Sequence, residues 1–149
     1  MLKTMFVQPN PDGLRGIGLG YWRDRKSEAS QADLFALCSW LGYAMGVMQS
    51  FLPDPQNFVD TFWDAKEREA VVQYLRLGSV GTRWMGYSYC RFNCGISDAE
   101  MGDGTMTDGT YVWPEGFAHY VEKHGVRPPE EFVAHALRCF AERAYGSKK

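Results

Sequence analysis

Residues 106–125 read MTDGTYVWPEGFAHYVEKHG, and this stretch decides what kind of fold is built around it. Asp108-Gly109 suits a two-residue type I′ turn, so Met106 and Thr107 are expected to pair across it with Thr110 and Tyr111. Pro114 has no backbone N–H to lose at a first helical position. Glu115 suits the positive end of a helix dipole, and Gly125 suits a left-handed exit. A hairpin followed at once by a helix over 114–124 is therefore expected, with His119 and His124 on that helix. Just upstream, RWMGYSYCRF at 83–92 is rich in the rings that favour strands, and Gly86 marks a bulge or a close backbone approach. Residues 84–91 and 106–113 are thus expected to form a small antiparallel sheet.

Helical signals lie on both sides of this segment. Toward the N-terminus, Ser30 and Asp33 have capping-box spacing. Leu34, Leu37, Cys38, Leu41, Met45 and Met48 then recur at helical intervals, predicting a central helix over 31–51 with Cys38 in the core. LPDP breaks it. Asp54 with Pro55 opens a short second helix, and Asp64 with Glu67 opens a third whose buried face is Val71, Val72, Tyr74 and Leu75. Gly78 ends it. Beyond RPPEE, the final helix runs from about Glu130 to Tyr145 with Phe132, Val133, Ala136, Leu137 and Phe140 inside. Residues 1–29, with MFVQ, a PNPDG turn and scattered glycines, read as irregular. Gly13, Gly16, Gly18 and Gly20 lack the firm preceding strand that a phosphate-binding loop requires.

These readings give one α+β domain over 1–149, mainly helical, with a small antiparallel sheet. Its parts are an irregular segment (1–29), a helical part (30–82), a hairpin with a zinc-finger-like corner (83–125) and a C-terminal helix (130–146).

The corner rests on four residues. Cys90 and Cys94 lie in YCRFNCG, and His119 and His124 in FAHYVEKHG. Two thiolates and two imidazoles are the donors that a tetrahedral zinc ion takes. The order of knuckle, hairpin and histidine-bearing helix resembles the Cys2His2 zinc finger, over residues 90–124 only. The knuckle spacing of three and the long connection depart from the DNA-reading finger, so the resemblance implies a structural zinc and not DNA binding. Residues five apart on an ideal helix point about 140° apart, so His119 and His124 can share an ion only if the helix tightens or ends there. His135 and Cys139, four apart on one face, are a competing pair of ligands. The metal-free alternative makes Cys94 a small buried residue and has the histidines bond to loop backbone.

Composition narrows the function classes. Net charge is −2, without the basic field that general nucleic-acid binding needs. A further alternative is a single-stranded nucleic-acid binder that stacks bases on Arg83, Trp84, Tyr87, Tyr89 and Arg91. Between Arg91 and Lys123 the chain has no Lys or Arg, and Asp98, Glu100, Asp103, Asp108, Glu115 and Glu122 all fall there. With Tyr111 and Trp113, the residues Asp98, Glu100, Asp103, Asp108 and Glu115 make a candidate surface for a protein partner with a basic face. The uncharged run Leu34–Pro53 reaches membrane-span length but holds Ser39, Gln49 and Ser50 and is followed by no basic cluster, so it reads as a buried helix rather than a span. The N-terminal apolar run is too short for a signal peptide, which makes a cytoplasmic protein with reduced cysteines the expectation.

No P-loop lysine motif, HExxH pair or complete nucleophile elbow is present. The leading expectation is a small intracellular accessory or inhibitor protein, toxin-neutralising or phage-encoded for example, stabilised by structural zinc. The alternative is an enzyme centred on Cys90, Cys94 and His119: either a Cys/His enzyme or a metal-dependent hydrolase that adds Asp103, Asp108 or Glu115.

Overall fold

The computed structural model describes residues 17–20, 22 and 54–146. The expected helix over 31–51, its Ser30 cap, Cys38, the MFVQ strand, the PNPDG turn and the Leu34–Pro53 run lie outside the described residues. Among these residues the elements are strand β1 (Ile17–Gly18), a 3-10 turn (Pro55–Phe58), helix α1 (Ala65–Arg76), β2 (Ser79–Arg83), the short helix α2 (Asp98–Met101), β3 (Gly104–Thr107), β4 (Tyr111–Pro114), α3 (Phe117–His124) and α4 (Glu130–Gly146). It is a small α+β domain. The strands lie in the order β1-β4-β3-β2, with β2, β3 and β4 antiparallel and the two-residue β1 added parallel to β4.

The helix punctuation works as the residue chemistry dictates. Asp54 Oδ1 accepts the Gln56 N–H at 3.0 Å and opens the 3-10 turn with Pro55 first. Asp64 accepts the Glu67 N–H at 2.9 Å and caps α1, satisfying an amide that the helix leaves unpaired. Along α1, Val71, Val72, Tyr74 and Leu75 are buried, and α1 packs against both α3 and α4. On α4 the buried residues are Phe132, Val133 and Ala136, with Leu137 and Phe140 packed partly against them. Trp113 on β4 lies at the centre of this core, 1% exposed, with its indole N–H donating to the Leu75 carbonyl at 3.3 Å.

Three local expectations are corrected. The strand that pairs with β3 is β2, Ser79–Arg83, and not 84–91. The chain enters the sheet directly after α1, and pairing with β3 ends at Arg83 opposite Gly104. Residues 84–92 then run outside the ladder, tied by Trp84 N–H to Asp103 O at 2.6 Å and Ser88 N–H to Gly102 O at 2.9 Å. Their rings had suggested a strand, yet Trp84, Met85 and Tyr87 are exposed.

The hairpin turn is also longer than type I′. The innermost pair is Thr107 with Val112, so Asp108 to Tyr111 make the turn. A type I′ turn needs positive φ at both central residues, but Asn93 is the one non-glycine residue with positive φ among those described. Asp108 instead accepts the N–H groups of Thr110 and Tyr111 on Oδ1, at 2.8 and 2.7 Å, an Asx-type turn held by its own side chain.

Finally, α3 starts at Phe117 rather than at Pro114, which ends β4. Glu115 therefore does not serve a helix dipole, and its carboxylate lies 3.5 Å from Arg83. Among the described residues no helix is long and apolar enough to cross a membrane.

Candidate metal centre

Two local structures bring four donor atoms to one point. The first is the knuckle at 90–95. Asn93 N–H donates to the Cys90 carbonyl at 3.1 Å, and Asn93 (φ 50°) and Gly95 (φ 86°) on either side of Cys94 are both left-handed. This reversal puts Cys94 on the same side as Cys90. The second is the end of α3. His124 is its last residue, and Gly125 at φ 64° takes the chain out in a left-handed cap, its N–H bonded to Tyr120 O.

The donors lie close together. Cys90 Sγ is 3.4 Å from His124 Nε2, Cys94 Sγ is 3.4 Å from His119 Nε2, and the two Nε2 atoms are 3.2 Å apart. All four donor atoms lie within 4.8 Å of one another, so this group can hold a metal ion. An ion with four protein ligands in a tetrahedron keeps no position for water.

The chemistry of each group suits that use. Burial holds the imidazoles of His119 and His124 below the usual histidine range, with the neighbouring His124 adding to the effect at His119, which keeps both neutral and able to donate a lone pair. Burial raises the Cys90 thiol, opposed by the backbone N–H groups of Phe92 and Cys94 that point at its sulfur and favour the thiolate. Cys90 is buried, Cys94 is exposed and the two histidines are half-buried.

Two residues that sequence reasoning missed hold the corner in place. Tyr120 is 2% exposed, and its hydroxyl accepts the Arg91 N–H at 2.9 Å and donates to the Tyr89 carbonyl at 3.3 Å. It joins α3 to the knuckle, and Trp22 packs behind it at 5.7 Å between ring centroids. Phe92 stacks on the His124 imidazole at 4.1 Å with an interplanar angle of 7°. Both could have been noticed as rings placed between the ligands of each pair.

The competing ligands do a different job. Arg138 Nη2 lies 3.3 Å from His135 Nδ1; a guanidinium only donates, so Nδ1 accepts and Nε2 carries the proton. That Nε2–H donates to Asp108 Oδ2 at 2.8 Å, where the Tyr74 hydroxyl also donates at 2.6 Å. Cys139 Sγ sits 3.8 Å from the same Nε2. His135 is thus already occupied in a hydrogen-bonded hub that ties the hairpin turn to α1 and α4. It also lacks the arrangement of a catalytic thiol–imidazole–carboxylate relay, which uses both ring nitrogens.

The remaining candidates separate by exposure. Asp98, Glu100 and Glu115 are exposed and Asp103 is half-buried, with Arg83 donating to Asp103 at 2.6 Å. Trp113 is enclosed in the core, the Asp108 carboxylate is turned into the hub, and Tyr111 stacks edge-on against Phe132 at 5.0 Å. The aromatic rim expected for the acidic surface therefore faces inward. Asp103, Asp108 and Glu115 stand outside the four-donor group. Of the residues read for nucleic-acid stacking, Trp84 and Tyr87 are exposed, but Arg83 is ion-paired and Arg91 bonds Ser88 and Tyr89. Comparison of the chain with protein-family models, curated proteins and solved structures returned no match.

Proposed function

We propose that this chain is a small protein-binding module of the accessory or inhibitor kind, in which Cys90, Cys94, His119 and His124 hold one structural zinc. The observation that carries the metal reading is the spacing of the donors. Zn–S near 2.3 Å and Zn–N near 2.0–2.1 Å in a tetrahedron imply S···N edges of about 3.5 Å and an N···N edge of about 3.3 Å. Three of the six edges are 3.4, 3.4 and 3.2 Å, and all six lie within 4.8 Å. Two sulfurs and two imidazoles favour zinc over magnesium or calcium, which take oxygen donors. The zinc pins the knuckle to the end of α3, beside the Tyr120 hydrogen bonds that join the same two parts.

A closed four-ligand set argues against a metal-dependent hydrolase, which needs an open position. A metal-bound thiolate likewise leaves no free Cys/His pair for nucleophilic catalysis. Binding is then the function class that fits, and the exposed acids Asp98, Glu100 and Glu115 favour a partner with a basic surface.

The test is elemental analysis of protein purified without an affinity tag or added metal. About one zinc per chain is expected, and cobalt substituted for it should give the visible absorption of a tetrahedral two-sulfur, two-nitrogen site. A metal-free, fully folded protein would defeat the zinc reading. For the binding reading, a pull-down from lysate of the source cells that repeatedly recovers no stoichiometric partner would count against it.

A further inference from the structure

We propose that the Cys90–Cys94 knuckle is a thiol-oxidation site, at which a peroxide joins the two sulfurs and expels the zinc. This rests on the zinc reading above and adds a reaction to a centre otherwise described as structural.

The two cysteines are unequal in a way that suits stepwise oxidation. Cys94 is exposed on a left-handed reversal, whereas Cys90 is buried. Their sulfurs lie within 4.8 Å of each other. A zinc-bound cysteine is deprotonated, so Cys94 presents a thiolate to solvent, the form that reacts with peroxide. Cys90 stands ready as the resolving thiolate. The other two ligands are imidazoles, which peroxide leaves unchanged under mild conditions. Cys139, the remaining cysteine among the described residues, belongs to the His135 hub and is half-buried.

The balanced chemistry uses hydrogen peroxide as a two-electron oxidant. The Cys94 thiolate attacks one peroxide oxygen, the O–O bond breaks, and sulfenic acid and hydroxide form. The Cys90 thiolate then attacks the Cys94 sulfur, an S–S bond forms, the S–O bond breaks and a second hydroxide leaves. Two protons from solvent convert both hydroxides to water. Zinc loses both anionic ligands and departs as the divalent ion. The far face of α3 stays in place, because Phe117, Tyr120 and Val121 are buried in the core independently of the ion.

The experiment treats zinc-loaded protein with increasing hydrogen peroxide and follows free zinc with a chromophoric chelator. Intact mass and peptide mapping are recorded in parallel. The expected result is zinc release in equal amount to a Cys90–Cys94 disulfide, with reversal by dithiothreitol and added zinc. A Cys94→His variant keeps four ligands and should hold its zinc at peroxide concentrations that empty the wild type. Zinc retained while Cys139 is oxidised, a bridge from either cysteine to Cys38 or Cys139, or equal release from Cys94→His would overturn the proposal. Absence of zinc before peroxide is added would defeat the zinc reading itself.

Discussion

The Nε2 atoms of His119 and His124 are 3.2 Å apart although the two residues lie five positions apart on one helix. On a continuing helix the two side chains would diverge by about 140°. They converge because the helix stops at His124, where Gly125 turns left-handed, and because Phe92 lies flat against the His124 ring. The geometry of the ligand pair is thus set from outside the pair.

Phe92 should therefore behave as a positioning residue for the metal. Phe92→Leu keeps an apolar group over the corner but removes the flat face that orients the imidazole. The expected outcome is a loss of about 10- to 100-fold in zinc affinity, the range typical of partners that orient metal ligands. The measurement is competition against a chelator of known affinity. An unchanged affinity would mean that the helix end alone positions His124.

Two glycines should differ sharply when replaced by alanine. Gly125 has φ 64°, and an added Cβ would meet nothing closer than Asp60 O at 3.5 Å. Its cost should be that of a left-handed alanine alone, about 1 kcal/mol. Gly20 has φ 72°, and an added Cβ would lie 2.5 Å from Cγ of the buried Phe117. Gly20→Ala must therefore also displace a core ring and should cost about 2–4 kcal/mol. Urea unfolding of the two variants would order them, and equal losses would contradict the close packing of Gly20 on Phe117 of α3.

How much of this was legible in the sequence depends on whether the signal was local. Asp64 with Glu67, Asp54 with Pro55, Gly125 and the apolar faces of α1 and α4 are decided within a turn of helix, and they read correctly. The start of β2 was misplaced because Trp84, Met85 and Tyr87 look like strand residues, while pairing was decided by where α1 releases the chain at Gly78. Asp108-Gly109 was read by its dipeptide, but the Asp108 carboxylate chose the turn by taking two amides and then Tyr74 and His135, partners 34 and 27 residues away. For the metal group, the local spacing named the four residues. Tyr120 and Phe92, which hold the two halves together, act through contacts that no spacing announces.

Asp108 should make stability depend on pH at the acid end. Burial alone would raise its pKa. The hydrogen bonds from the Tyr111 amide, the Tyr74 hydroxyl, the Thr110 amide and His135 outweigh that effect and hold it below the usual carboxylate range. Arg138 and Cys139 on α4 and Glu131 beside Tyr111 are the other titratable groups around this hub. With the folded pKa depressed, the contribution is fully present above the unfolded value of about 3.9 and is lost as pH falls through the folded value. Asp108→Asn should cost about 2–4 kcal/mol at pH 7, since a buried charge with several donors is replaced by a group that must itself donate. The difference between wild type and variant should shrink below about pH 4. A difference that stays constant down to pH 2.5 would show that Asp108 is not ionised in the hub.

The inward turn of Trp113 separates two kinds of residue that the sequence had placed on one surface. Trp113→Ala removes a core ring that is 1% exposed and should cost about 3–5 kcal/mol, lowering partner binding only through unfolding. Asp98→Lys with Glu100→Lys reverses charge on the exposed helix α2, where each acid's tie to the fold is local. Glu100 completes a capping box with Ser97, so that variant should lose only about 1 kcal/mol of stability. If the partner presents a basic face, its association rate should nonetheless fall by at least about 10-fold at low salt, with the difference narrowing as salt is raised. Stopped-flow association at two ionic strengths, beside thermal unfolding of the same preparations, distinguishes the cases. Unchanged association in the double charge reversal would remove α2 from the binding surface and direct the search to the exposed Trp84, Met85 and Tyr87.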